Sequence, residues 1–244
     1  MPLEAALPPL GARAAELNQR FRHHAASDVL AEALDNPLVG RTALVSSFGA
    51  ESVVLLHMVS KIDRTTPVLF LDTELLFPET LDYQKRLAER LKLSVEVITP
   101  DRSKIFVADP NNRLNATNPD LCCQLRKTEP LERALQSFDA WVTGRKRMHG
   151  GARASLDLFE AEGERIKVNP LAHWSRDDIA DYMSNNKLPR HPLVGKGYAS
   201  IGCLPCTTRV DADEDPRAGR WRGREKTECG IHFSNGAVAP AKGH

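Results

Sequence analysis

The chain has 244 residues, enough for one large α/β unit with a full apolar core. Lys and Arg number 33 against 32 Asp and Glu, a formal charge of +1, so the balance gives no reason to expect a nucleic acid or an acidic membrane as partner; an anionic ligand must be met by local charge. No apolar run approaches the ~20 residues of a membrane span, and Met1 to Arg20 lacks the basic start and apolar block of an export signal, so a soluble cytoplasmic protein is expected.

Residues 1–39 read as helical, rich in Ala and Leu and without a chemical motif; they are expected to pack or to pair, which admits a homo-oligomer. From Thr42 the pattern becomes strand, loop, helix: an apolar run to Ser47, a Gly-containing turn, then Ser52 to Val59. Pro67 to Asp72 reads as a buried strand. Phe77 to Leu93 reads as a helix, with Pro78 near its start and Leu81, Leu87, Ala88 and Leu91 on one stripe. Val95 to Ile98, Trp141 to Gly144 and Ile166 to Leu171 supply further strands, with connections long enough for parallel crossovers. The predicted fold is α/β, a doubly wound and mostly parallel sheet, whose ligands would sit just beyond the carboxyl ends of the strands. Ser175 and Asp178 fit a helix N-cap, and Trp174 reads as core. After about Pro189 the periodicity fades into Gly, Pro and charge, a segment expected to wrap over the domain.

The turn Ser46-Ser47-Phe48-Gly49-Ala50-Glu51-Ser52 follows a strand and opens a helix, so its N–H groups and hydroxyls can face a phosphate or sulfate; by itself it is equally a capped turn. It resembles the pyrophosphate loop of the adenine nucleotide α-hydrolase-like superfamily. Ala50 and Glu51 stand where ATP-splitting members have Lys and Asp, which argues against adenylating chemistry.

Five cysteines is an odd number, and the adjacent pair Cys122-Cys123 suits a disulfide framework poorly. With Cys203-Leu204-Pro205-Cys206, roughly 80 residues on, it supplies four soft ligands, enough for a zinc ion or a four-iron cluster if the fold brings them together. Neighbours on a helix point ~100° apart and strain to reach one small ion, which modestly favours the larger cubane. The fifth, Cys229 in Glu228-Cys229-Gly230-Ile231-His232, follows Arg217, Arg220, Arg222, Arg224 and Lys226, cations that would lower a thiol pKa and attract an anion; the bland alternative is a basic tail with an incidental thiol.

Together the Leu71-Asp72-Thr73 strand end, Cys122-Cys123-Gln124-Leu125-Arg126-Lys127, the Cys203 to Cys206 motif and Glu-Cys-Gly-Ile-His resemble the iron–sulfur-containing adenylyl-sulfate (APS) reductase group of the phosphoadenosine phosphosulfate reductase family, over about Thr42 to His232. The chain is expected to be one domain: a helical 1–39, a nucleotide-binding core over 40–190 and a C-terminal 191–244 that carries the Cys203 to Cys206 motif and Cys229. The resemblance implies a [4Fe–4S] cluster on Cys122, Cys123, Cys203 and Cys206, and Cys229 as nucleophile. Substrate contacts would come from Ser47, Gly49, Ser52, Leu71, Asp72, Thr73, Lys127, Gly144, Arg145, Arg153, Arg217, Arg220 and His232, with Lys146 and Arg147 as further available cations. Its activity would be reduction of APS to sulfite and AMP in sulfate assimilation and cysteine biosynthesis, through a Cys229 S-sulfo intermediate that thioredoxin or glutaredoxin resolves. Two positions depart from the family pattern: Ile231 replaces a Leu, and Glu74 replaces a turn glycine. A reductase of the 3′-phosphorylated nucleotide (PAPS), an iron–sulfur RNA thiolase and a non-enzymatic zinc module are the rival readings.

Overall fold

The structure, a computed structural model, describes residues 7–224, 226, 228, 230 and 231. The apolar runs form strands β1 Thr42–Ser46, β2 Pro67–Leu71, β3 Ser94–Ile98 and β4 Ala140–Val142, followed by a hairpin of β5 Phe159–Glu162 and β6 Arg165–Val168. They lie in the order β3-β2-β1-β4-β6-β5, every neighbour pair parallel except β5 with β6. The expected α/β sheet is present, and the antiparallel β5 goes beyond the sequence expectation. Ala43, Leu44, Val68, Leu69, Phe70, Ala140 and Val142 are buried, as sequestered parallel strands require. Because β2 and β4 flank β1 on opposite sides, the chain diverges at the carboxyl ends of β1 and β4, and a crevice opens there.

Two helices, α1 Leu10–Phe21 and α2 Ala26–Asp35, begin the described chain. Ala14, Leu17 and Phe21, then Val29, Leu30 and Ala33, follow helical spacing into the core. The expectation that they pack is met. Asn18 on α1 donates to the carbonyl of Phe159 at 2.7 Å and accepts from its N–H at 2.9 Å, so one amide satisfies part of the β5 sheet edge. Helix α3 Val53–Ile62 is buried along most of its length, and α4 Pro78–Leu91 ends on Lys92 in the left-handed region. Short helices α5 Arg102–Ala108, α6 Leu114–Thr117, α7 Pro119–Cys123 and α8 Glu129–Leu135 connect β3 to β4, and α9 Arg176–Asn185 follows β6. Ser175 and Asp178 form the anticipated capping box at the start of α9. Among the described residues no helix is long and apolar enough to cross a membrane.

Beyond α9 the chain is irregular and is tied back by side chains. Tyr83 on α4 donates to the Pro189 carbonyl at 2.8 Å. Buried His191 accepts the Leu193 N–H at Nδ1, 3.2 Å, which leaves Nε2 to carry the proton and donate to Thr80 Oγ1 at 3.1 Å. The bond accepted at Nδ1 needs a neutral ring, and burial brings the His191 pKa down from 6.5 to about 4. The unfolded chain therefore binds the proton first as pH falls. The resulting stability is fully present above about pH 6.5 and is lost between about pH 6.5 and pH 4, by an upper bound of roughly 3 kcal/mol. Burial also lowers His57, His149 and His173, which add to the same slope. Urea denaturation from about pH 7 down to about pH 4.5 is expected to show a falling midpoint, and His191→Gln a shallower fall; equal slopes in the two proteins would remove His191 from this role.

Candidate active site

The crevice is a cleft of about 240 Å³ bounded by the turn after β1, the ends of β2 and β4, and residues 199–203 and 216–221. Of the residues anticipated from sequence, Ser47, Gly49, Ser52, Leu71, Thr73, Lys127, Gly144, Arg145, Arg153, Arg217 and Arg220 line it. Asp72 does not: it accepts the Glu74 N–H at 2.9 Å and shapes the turn below the cleft. Glu74 takes φ 60°, a left-handed conformation that explains why glycine suits this position, and its carboxylate pairs with Arg102 at 2.7 Å and Arg126 at 3.9 Å. Cys229 and His232 lie outside the described residues.

The turn after β1 is shaped by its own side chains. Phe48, at φ 48°, is fully buried edge-on to Phe70, which pulls the backbone inward; its N–H donates to Ser46 Oγ at 3.2 Å. The Gly49 N–H donates to Ser52 Oγ at 3.0 Å. A Cβ on Gly49 would lie 3.2 Å from the Ile201 carbonyl, so this position lets the C-terminal segment approach the turn.

Charge in the cleft is strongly uneven. Among the described lining residues, Lys127, Arg145, Lys146, Arg153, Arg217 and Arg220 make six cations against two carboxylates, Glu51 and Glu228. The cation missing from the turn arrives from the end of β4: Lys146, 3% exposed, pairs with Glu51 at 2.8 Å and donates to the Gly144 carbonyl at 3.0 Å. Burial pushes its pKa down and Glu51 opposes that shift. His149, without a role in the sequence, joins this wall 3.8 Å from Glu51; burial brings its pKa to about 4, so it is neutral near pH 7. Arg145 donates to Glu160 at 3.2 Å, and Glu160 accepts from Asn169 at 2.6 Å. The unanticipated β5 thus aims a cleft cation.

Helix α7 is opened by Pro119 and by the Asn118 side chain, which accepts the Leu121 N–H at 3.0 Å. It runs into a π-helical turn, Gln124–Thr128, before α8. A helix continuing through Pro130 must open around the Arg126 carbonyl, and a wide turn does so. The turn carries Lys127 to the cleft and buries Arg126, which donates to the Thr73 carbonyl at 3.1 Å and to Asn112 at 2.6 Å.

Cys122, Cys123, Cys203 and Cys206 line one small, mostly apolar enclosure beside the cleft, together with Arg126, Lys127 and Trp221. Lys127, Cys203 and Trp221 line both spaces. The Cys203 turn is pinned to the end of β2: Leu204 N–H donates to the Leu75 carbonyl at 2.8 Å, and Thr73 Oγ1 lies 3.2 Å from Cys203 Sγ. None of the four cysteines is in a disulfide. Burial, with the neighbouring sulfurs adding, pushes Cys122 up to about 12, and burial raises Cys206. Such a set keeps its protons unless a cation compensates the charge. Among the described residues no group of three or more His, Cys, Asp or Glu side chains is arranged to hold a metal ion. The donor set is nevertheless all-thiol, and two buried donors of the same enclosure, Arg126 Nε and Trp221 Nε1, find no hydrogen-bond partner. Four soft ligands with spare N–H groups beside them are the donor chemistry of an iron–sulfur group.

Arg220 reaches the cleft over Gly202, where an added Cβ would stand 2.3 Å from Nη2 and 2.6 Å from Cζ. The clash is with the end of a flexible side chain, so Gly202→Ala should displace the guanidinium rather than unfold the chain. Titration with inorganic sulfate is expected to show affinity lower by roughly tenfold, with the thermal midpoint held within about 2 °C. Unchanged sulfate affinity would take Arg220 out of the anion site.

Residues 41–209 match the phosphoadenosine phosphosulfate reductase domain. An adenosine 5′-phosphosulfate reductase of Chelativorans sp. strain BNC1 is 50% identical over 95% of this chain and 94% of its own length. One of Mesorhizobium japonicum is 48% identical over 92% and 89%. The crystal structure of phosphoadenylyl-sulfate (PAPS) reductase from Candida auris, a phosphate complex, superposes with a TM-score of 0.70 at 25% identity, covering 84% of this chain and all of that one. The sheet is accordingly of the adenine nucleotide α-hydrolase-like type. A domain match over most of the chain, near-half identity along nearly its full length, and a cationic cleft at the predicted strand ends lead to one assignment: the chain belongs to the phosphoadenosine phosphosulfate reductase family.

Proposed function

We propose that this chain reduces adenosine 5′-phosphosulfate to sulfite and AMP, in the cytoplasm and in the service of sulfate assimilation and cysteine biosynthesis. The observation that carries the reading is the shared wall: a six-cation cleft meets a four-thiol enclosure at Lys127, Cys203 and Trp221. The relatives near 50% identity are named for the same substrate.

The turn after β1 and the end of β2 would hold the nucleotide, and Lys127, Arg145, Arg217 and Arg220 would surround its phosphosulfate. Their charge would be worth most on the bridging oxygen as it becomes the AMP phosphate, because negative charge develops there as the S–O bond breaks. The Cys229 thiolate would attack the sulfonate sulfur; the new S–S bond forms as the S–O bond to phosphate breaks, and AMP leaves with the electron pair. A thiol of reduced thioredoxin or glutaredoxin would then attack the Cys229 sulfur and expel sulfite. The donor's second thiol would break the mixed disulfide, leaving Cys229 reduced and the donor oxidised. The two-electron balance closes on the donor, so the enzyme needs no resolving cysteine of its own.

Cys122, Cys123, Cys203 and Cys206 would hold a [4Fe–4S] cluster. Bound there, it would supply iron–thiolate bonds joining α7 to the Cys203 turn and a fixed charge distribution behind Lys127.

Mass spectrometry tests the covalent step. Anaerobic protein mixed with APS and no thiol donor should gain the mass of one sulfonate on Cys229, and Cys229→Ser should release no sulfite while keeping its iron and sulfide. AMP release with an unmodified Cys229 would overturn the route. APS and PAPS assayed side by side with thioredoxin should favour APS, and Cys203→Ser should lose most of the iron.

A further inference from the structure

Acidic residues are unfavourable in a cleft built for an anion, yet Glu228 lines it, in the position directly before Cys229. Its carboxylate meets Arg153 fork to fork: Arg153 Nε donates to Oε1 and Nη2 to Oε2, both at 2.6 Å, and Arg217 Nη2 stands 3.7 Å from Oε1. Although burial pushes the Glu228 pKa up, the arginines outweigh that push and hold it below the ordinary glutamate value. Arg153 is itself buried, and its Nη1 lies 3.3 Å from His149 Nδ1, which joins it to the Glu51 and Lys146 wall.

The described neighbours of Cys229 are tied down as well. Lys226 pairs with Asp120, the Gly230 carbonyl accepts from Thr128 Oγ1 at 3.4 Å, and Ile231 packs against the buried group of Leu71, Leu131 and Trp141. The Lys226 and Gly230 contacts rest on α7 and on the π turn, and an apolar contact adds the third. Glu228, by contrast, reaches across to Arg153 in the loop after β4. A bidentate pair fixes orientation as well as distance, which a lone carbonyl contact or an apolar patch cannot do. Consecutive Cα atoms are ~3.8 Å apart, so what anchors Glu228 limits how far residue 229 can stray from it.

We infer that Glu228 is a positioning residue: through its bidentate pair with Arg153 it docks the segment that carries Cys229 into the cleft and sets the approach of that thiol to the substrate. The inference rests on Cys229 being the nucleophile of the proposed reaction. Arg153 keeps N–H donors outside the fork, so the same guanidinium can face the substrate anion while holding the segment. The pair also cancels a negative charge that would otherwise repel both thiolate and substrate.

Full-length, cluster-loaded protein is compared as wild type, Glu228→Gln, Glu228→Asp, Arg153→Lys and the Glu228→Gln/Arg153→Lys double variant. Loss of the charge-assisted pair is expected to lower kcat about tenfold in Glu228→Gln with KM for APS within about twofold, since a mispositioned nucleophile hinders the chemical step more than binding. Glu228→Asp, which keeps the charge, should fall between. The double variant should be no more than about twofold slower than the slower single variant, because both changes remove one interaction. Alkylation by iodoacetamide without substrate, resolved by peptide mass spectrometry, should be several-fold faster at Cys229 in Glu228→Gln than in wild type, as a released segment is more accessible. Unchanged kcat and alkylation in Glu228→Gln, or fully multiplicative losses in the double variant, would overturn the inference. If wild type releases no sulfite from either sulfonucleotide, the functional reading fails on its own, and the alkylation comparison still decides whether Glu228 docks the segment.

Discussion

The cleft depends on a single anchoring: the turn around Cys203 is held against the end of β2. The Leu204 to Leu75 backbone bond and the contact between Thr73 Oγ1 and Cys203 Sγ fix this irregular stretch to the turn that leaves β2. The consequences run in two directions. Toward α7, the turn brings Cys203 and Cys206 to the Cys122 and Cys123 side. Toward β1, it lays the Ile201 carbonyl over Gly49 and leaves Gly202 as the floor on which Arg220 rests. Release of that turn would open the thiol enclosure and the anion cleft together, so the two sites are one construction.

How far the sequence reveals this differs by physical cause. Buried parallel strands leave long apolar signatures, so Thr42 to Ser46, Pro67 to Leu71 and the helix after Pro78 could be found within a residue or two. Strand β5, Phe-Glu-Ala-Glu, leaves almost none: it is short, charged and at the sheet edge, and its partner in stability is the Asn18 amide from a helix some 140 residues earlier. The π turn was equally hidden, because Gln-Leu-Arg-Lys-Thr is ordinary helix-forming sequence and only Pro130, downstream, betrays the need to widen.

Site residues divide along the same line. Cysteine spacing and glycine-bearing turns are local signals, and the resemblance they carry implies part of the cleft lining, Ser47, Gly49, Ser52 and Lys127 among it. Charge pairing is not local. That Glu51 would face Lys146, that His149 would complete that wall, or that Glu160 would aim Arg145 cannot be read from one strand of text, since each pair joins elements brought together only by the sheet order. Asp72 shows the converse: it stands in a recognisable motif, yet its oxygen serves the left-handed Glu74 rather than the cleft.

The two carboxylates explain how so cationic a cavity is tolerated. Six buried or half-buried cations in one cleft repel each other and resist desolvation, and a protein that held them bare would lose stability for the sake of binding. Glu51 pairs with Lys146, and Glu228 with Arg153 and Arg217, so part of the field is compensated inside the fold and the remainder is left for a multiply charged ligand. The two differ in what they are attached to. Glu51 lies in the turn just before the buried helix α3, so its charge is a fixed part of the wall. Glu228 is held by its contacts with Arg153 and Arg217, so its share of the compensation exists only while those contacts are made. The field that a ligand meets is thereby linked to the placement of Glu228, because two of the arginines that line the cleft, Arg153 and Arg217, also hold that carboxylate.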